Sequence, residues 1–182
     1  IALSTEGQEL LNALDSKLSR SEEQEKINAK ATRLCEIVGA KERLQTIAKD
    51  ILEHFTQRQE ILQGKAMVVC MSREIAVSLY DKITHLKPSW HDENYQKGKI
   101  KVIITANSDD GAILAKHHTS KAQRSEIAKR LKNIDDELEM VIVCDMWLTG
   151  FDVPPLHTLY MDKFLSGHNL MQAIARVNRV YK

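Results

Sequence analysis

Gln172, Arg176 and Arg179 stand four and then three residues apart. At about 100° per residue of helix, these spacings place all three within one narrow polar stripe. Leu170, Ile174 and Val177 fall on the opposite side, so one face would pack while the other presents two guanidiniums. Arginine stays charged and offers a rigid fork of donors, and two of them at this spacing suit a phosphate chain whose charge grows during transfer. An amphipathic helix with a solvated basic face carries the same pattern.

A second constellation lies upstream, in Cys144-Asp-Met-Trp-Leu-Thr149-Gly150-Phe-Asp152-Val-Pro-Pro155. It directly follows the apolar run Met140-Val-Ile-Val-Cys144, which reads as a buried strand. Thr149 and Gly150 therefore fall where backbone N–H groups can approach a phosphate or a ribose, and Asp152 could accept a ribose hydroxyl. The Pro154-Pro155 pair forces a turn before the next strand. Gly150 equally serves a turn, and Trp147 and Phe151 suit a core as well as a stacked base.

Val141-Ile-Val-Cys-Asp145 has the outline of a magnesium-binding strand, but Met146 rather than an acid follows it. No phosphate-cradling loop accompanies it. The only Gly-Lys pairs are Gly64-Lys65 and Gly98-Lys99, and the residues five positions before those glycines are Gln59 and Glu93, so no GxxxxGK[ST] loop exists. The chain alone is expected not to hydrolyse ATP.

These residues need a scaffold. Among the 182 residues 43% are apolar, enough for one core and a small appendage. Residues 1 to 63 contain no proline and read as helices: Leu10, Leu11, Leu14 and Leu18 form one apolar stripe, and Leu44, Ile47, Ala48, Ile51, Leu52 and Phe55 another. Capping-box spacings from Ser19 to Glu22 and from Ser21 to Gln24 predict a helix start between them. From Gly64 onwards short apolar runs alternate with helical patterns. The runs are Ala66–Met71, Ile100–Ile104, Met140–Cys144 and the weaker His157–Met161. Such alternation predicts right-handed crossovers and a mostly parallel sheet covered on both sides, an α/β three-layer domain over 64–182 preceded by a helical segment over 1–63. Ligands collect at the carboxyl ends of parallel strands, which draws attention to Ser72-Arg73, Thr105-Ala-Asn107, Asp145 to Asp152, and Asp162 to Gly167.

Composition narrows the classes. Lys plus Arg total 26 and Asp plus Glu 25, a formal charge of +1, which neither requires nor excludes a locally basic groove. Three separated cysteines without CxxC spacing suggest neither a disulfide framework nor a zinc site. No apolar run approaches the roughly 18 to 20 residues of a membrane span, and no signal-peptide pattern opens the chain, so a cytoplasmic protein is expected. The chain begins at Ile1 and stops at Lys182 directly after a patterned segment; both ends are expected to be cuts, with the domain truncated at its C-terminus.

The run Met67 to Arg73, the stretch Asp145 to Asp152 and the stretch Gln172 to Arg179 resemble motifs IV, V and VI of the second motor domain of superfamily 2 helicases. The fuller wording of Asp145-Met-Trp-Leu-Thr-Gly-Phe-Asp152, Leu156-His-Thr-Leu-Tyr-Met-Asp-Lys163 and Leu170-Met-Gln-Ala-Ile-Ala-Arg-Val-Asn-Arg179 is similar to the restriction (motor) subunit of type I restriction-modification enzymes, over about residues 64 to 182. The resemblance implies a RecA-like lobe braced by the helices of 1–63, with ATP and magnesium held mainly by a first RecA-like lobe outside this sequence. It implies that Arg176 and Arg179 are arginine fingers, that Gln172, Gly150 and Asp152 face the nucleotide, and that Ser72, Arg73, Thr105 and Thr149 touch the DNA backbone. Double-stranded DNA, the first lobe, and the modification and specificity subunits are the implied partners; no nuclease site is expected in this stretch. Ala175 stands where many superfamily 2 members have glycine, a departure that favours the type I subgroup.

Two other readings stand beside this one: the second lobe of another superfamily 2 motor, such as a chromatin-remodelling ATPase or RNA helicase, and a non-catalytic module that uses its arginine stripe for assembly. Lys116 to Arg124 with Lys129, Arg130 and Lys132 forms a basic stretch that suits either a phosphate backbone or a solvated helix face. His117 and His118 lack the spacing of metal ligands. Trp90 and Tyr95 suit either a sheet edge or a stacked base.

Overall fold

The computed structural model describes residues 24, 25, 27–30, 32, 36–144, 146, 147 and 152–163. The chain divides into two compact units, one ending at Ile37 and the other beginning at Val38. In the first, the described residues are helical, and Gln24 Nε2 donates to Asn28 Oδ1 at 3.2 Å while Thr32 Oγ1 donates to the Asn28 carbonyl at 3.0 Å. Both links join residues one helical turn apart.

The second unit opens with helix α1, Lys41–Ile61, whose buried residues Leu44, Ala48, Ile51, Leu52 and Phe55 repeat at helical spacing. It ends at a turn closed by one side chain: Gln59 donates Nε2 to the Gly64 carbonyl at 2.6 Å and accepts from the Gly64 N–H at 3.0 Å. Strand β1, Lys65–Cys70, is buried throughout, as expected of a strand covered on both faces. Helix α2, Arg73–Leu86, a 3-10 turn over Pro88–Trp90, strand β2, Ile100–Ile103, the single turn α3, Ala112–Ala115, helix α4, Lys121–Lys132, strand β3, Met140–Cys144, and strand β4, Leu156–Asp162, follow in order among the described residues. Helix α4 starts at a capping box in which Ser120 and Gln123 satisfy each other's backbone N–H groups.

The four strands among the described residues are all parallel, in the order β2-β3-β1-β4. The expected α/β sheet is thus present, with two crossovers that skip a strand: β1 to β2 passes over the place of β3, and β3 to β4 passes over β1. In register, Met67 lies beside Val141, and Val69 beside Val143, which also neighbours Ile103. These residues share one face, where Ile127 and Leu131 of α4 join them in a single buried cluster. Helix α2 contacts β1, β2 and β3 and is itself contacted by α1.

Helix α1 is tied to β4 at three levels. Arg43 forms an ion pair with Asp162, His54 Nδ1 and the Tyr160 hydroxyl are hydrogen-bonded at 2.8 Å, and His157 Nε2 donates to the Leu62 carbonyl at 2.8 Å. As the helix runs forward the contacts move back along the strand, so α1 runs antiparallel to β4 and braces that edge of the sheet. No described helix is long and apolar enough to cross a membrane.

Candidate functional site

Where β1 gives way to α2, the chain must turn at Ser72. Its backbone is extended, and its hydroxyl accepts from the Ile75 N–H at 3.2 Å, an N-cap that satisfies one of the free donors at the start of a helix. Arg73 is therefore the first residue of α2, at the carboxyl end of the sheet. Its Nη1 donates to the Thr105 carbonyl at 3.0 Å and to Asp110 Oδ2 at 2.6 Å.

Thr105 follows β2, which is not the neighbour of β1. Strand β3 lies between them, so the Arg73 side chain crosses the tip of β3 to reach the loop beyond. Three of the residues singled out from sequence, Ser72, Arg73 and Thr105, are thus brought together.

Asp110 and His118 complete this cluster; sequence does not single out Asp110, and it marks His118 only as part of a basic stretch and as lacking the spacing of metal ligands. The Asp110 carboxylate is 3% exposed, and its Oδ2 accepts from Arg73, from the Asn107 N–H at 2.9 Å and from His118 Nε2 at 2.7 Å. A carboxylate accepts only, so His118 carries its proton on Nε2. The Arg73 hydrogen bond, helped by the Asn107 N–H and His118, holds the Asp110 carboxyl below the usual carboxylate range against the opposing effect of burial, and Asp110 in turn raises the Arg73 value. Asn107-Ser-Asp-Asp-Gly111 is a turn signal in the sequence, but nothing in it announces that its second aspartate meets an arginine 37 residues away.

Along the same rim, Cys70 lies in register with Cys144 on one side and Asp162 on the other. Burial pushes the Cys70 thiol up, with the Asp162 charge adding to it. The Asp162 carboxylate holds the Arg43 guanidinium, whose Nη1 also donates to the Val38 carbonyl at 2.7 Å. Beyond β3, Trp147 adopts φ 61°, a left-handed conformation unusual for a bulky residue, and with Met146 packs on the cluster beneath α4. Asp152 is exposed. Thr149, Gly150, Gln172, Arg176 and Arg179 lie outside the described residues.

Several ambiguous residues have structural places. Trp90 is buried with its ring edge-on to Phe55 at 6.1 Å, and Lys87 Nζ lies 4.9 Å over it, so it is not a free base-stacking surface. Tyr95 packs partly buried against the cluster of α4. In the basic stretch, Arg130 is 7% exposed and faces inward: its Nε reaches Asp136 at 3.0 Å, Nη1 the Tyr95 and Lys97 carbonyls, and Nη2 the Gly98 carbonyl at 3.0 Å. His117 sits edge-on to Tyr80 at 5.4 Å, and burial lowers its pKa. Among the described residues no group of three His, Cys, Asp or Glu side chains is placed to hold a metal ion.

The family model for type I restriction enzyme subunit R domain 3 matches residues 48–182. Over 145 residues the chain is 48% identical to the type I restriction enzyme HindI endonuclease subunit of Haemophilus influenzae, covering 80% of this chain and 14% of that protein. It is 43% identical over 162 residues to the putative type I restriction enzyme MjaIXP endonuclease subunit of Methanocaldococcus jannaschii, 88% of this chain and 15% of that protein. A type I restriction enzyme endonuclease subunit of Staphylococcus aureus, SauCOLORF180P, is 24% identical over 94% of the chain and 21% of its own length. The chain therefore spans about a seventh of the length of the first two relatives. By the family match over most of its length and by these identities, the chain belongs to the family of domain 3 of the type I restriction enzyme subunit R.

Proposed function

We propose that this chain is the second motor lobe of an ATP-driven DNA translocase, acting within the endonuclease subunit of a type I restriction enzyme. The reading is carried by Arg73 and Thr105, which meet across the tip of β3 at the carboxyl rim of the parallel sheet. That rim is where α/β sheets of this kind bind ligands, and it joins an arginine to the N-terminal end of α2, whose partial positive charge suits phosphate. Ser72, Arg73, Thr105 and Thr149 would follow the DNA backbone; Gly150, Asp152 and Gln172 would face the nucleotide.

The described residues offer no carboxylate cluster for magnesium, and the sequence has no phosphate loop. We read the magnesium ion and the triphosphate as held mainly by a first lobe, and no step through either is assigned to this chain. Arg176 and Arg179 would reach across to a neighbouring lobe and neutralise charge that develops only in the transition state, an effect worth on the order of 10³ to 10⁵ in rate.

The test is Arg179→Ala in the intact subunit. ATP hydrolysis and ATP-driven translocation should be abolished, with duplex DNA binding retained within a few fold. ATPase activity preserved in that variant would remove the arginine-finger role.

A further inference from the structure

We propose that Asp110 is a positioning residue for DNA: it holds Arg73 through Nη1 at the sheet rim so that the guanidinium meets a backbone phosphate, with His118 fixing the same carboxylate. The inference rests on the reading of Arg73 as a backbone contact and adds the groups that would make that contact work.

Both Arg73 hydrogen bonds use Nη1, so among the described residues Nε and Nη2 keep their donors for an incoming group. The arginine side chain is 23% exposed and the carboxylate beneath it 3%, which places the positive group outward and the negative group inward. An unanchored arginine must lose rotamer freedom to bind, and one already fixed at Nη1 has lost most of it. The same carboxylate could instead simply cancel the Arg73 charge. Geometry favours positioning, because Oδ2 is shared among three donors, Arg73, the Asn107 N–H and His118. The three bonds fix where that oxygen lies. The loop from Thr105 to Asp110 also supplies the second fixed point, the Thr105 carbonyl, so the guanidinium is held in orientation as well as in place.

The two roles predict opposite signs. In the full-length subunit without ATP, binding to a duplex oligonucleotide is measured by fluorescence anisotropy between about 50 and 200 mM salt, where each lost phosphate contact lowers the slope of log K against log salt by about 0.9. Arg73→Ala is expected to weaken binding roughly tenfold and to lower the slope by about one such step. Asp110→Asn should move both quantities in the same direction, Asp110→Glu should recover most of the loss, and Asp110→Asn should add nothing in the Arg73→Ala background. Tighter binding or a steeper slope in Asp110→Asn would establish charge cancellation and overturn the proposal. So would an equal loss in the Arg73→Ala background, which would mark a role in folding alone. An Arg73→Ala variant with unchanged affinity and slope would remove the underlying DNA contact, a failure visible without any change at Asp110. Should Asp110→Asn not fold, His118→Ala loosens the same carboxylate and keeps its charge. It should weaken binding by about threefold in the wild-type background only, and no change there overturns the proposal.

Discussion

The imidazole of His157 fills the space that a side chain at Gly64 would need: a Cβ built on Gly64 would stand 2.2 Å from His157 Cδ2. The ring has little room to yield. Its Nε2 donates to the Leu62 carbonyl, and its Nδ1, left as an acceptor, lies 2.6 Å from Thr158 Oγ1, while the Gly64 backbone is clamped on both sides by the Gln59 amide. Gly64→Ala should therefore destabilise the chain by about 1–3 kcal/mol, read as a lowered urea midpoint. Gly111→Ala is the control: nothing lies within 4 Å of its added methyl, φ is −71°, and stability should be unchanged or slightly raised. Equal midpoints for the two variants would show that His157 moves aside without cost.

The buried arginine gives a second contrast, between Arg130 and the residue before it. Arg130 joins α4 to the carbonyls of Tyr95, Lys97 and Gly98 and to Asp136, whereas Lys129 makes an exposed pair with Glu126. Removing one partner of a buried charged network leaves the rest unsatisfied, so Arg130→Ala should cost about 3–5 kcal/mol. Lys129→Ala should change stability by less than about 0.5 kcal/mol. Chemical denaturation of both variants checks this; similar midpoints would mean that the loop carbonyls are rehydrated freely when Arg130 is lost.

Arg130 also shows where sequence patterns stop. The four apolar runs mark the strands to within about a residue. For β1, β2 and β3 this is because a strand buried on both faces has no room for polar side chains, whereas the weaker fourth run belongs to the edge strand β4, which mixes buried and half-buried residues. Lys65 and Lys101 are exceptions, buried at the starts of β1 and β2 with their ammonium groups donating to backbone carbonyls: Asp136 and Leu138 for one, Asp92 and Asn94 for the other. Burial lowers both lysine pKa values. A charge whose partners come from a segment 71 residues away looks solvated in the sequence, and the basic stretch containing Arg130 has the same ambiguity. Strand order is hidden for a related reason. That β3 enters between β1 and β2 depends on how the crossovers pack, and only this order makes Arg73 span a strand tip to reach Asp110. Ser72, Arg73 and Thr105 were legible as residues at strand ends; the acid and the histidine that hold the arginine were not.

The same cluster sets a pH dependence whose sign follows from linkage. The folded value of Asp110 lies below its ordinary 3.8, chiefly through the Arg73 hydrogen bond. A carboxylate depressed in this way contributes stability that is fully present above the unfolded value and is lost as pH falls through the lower, folded one. The wild-type chain should therefore lose, below pH 3.8, a contribution that Asp110→Asn lacks at every pH. Urea midpoints measured from about pH 5 down to about pH 2 should show the gap between wild type and Asp110→Asn closing as the carboxylate is protonated. The His118 hydrogen bond to the same carboxylate acts in the same direction as that of Arg73. A gap that stays constant across the series would show that Asp110 is no better stabilised as an anion in the folded chain than in the unfolded one, and that its hydrogen bonds serve shape alone.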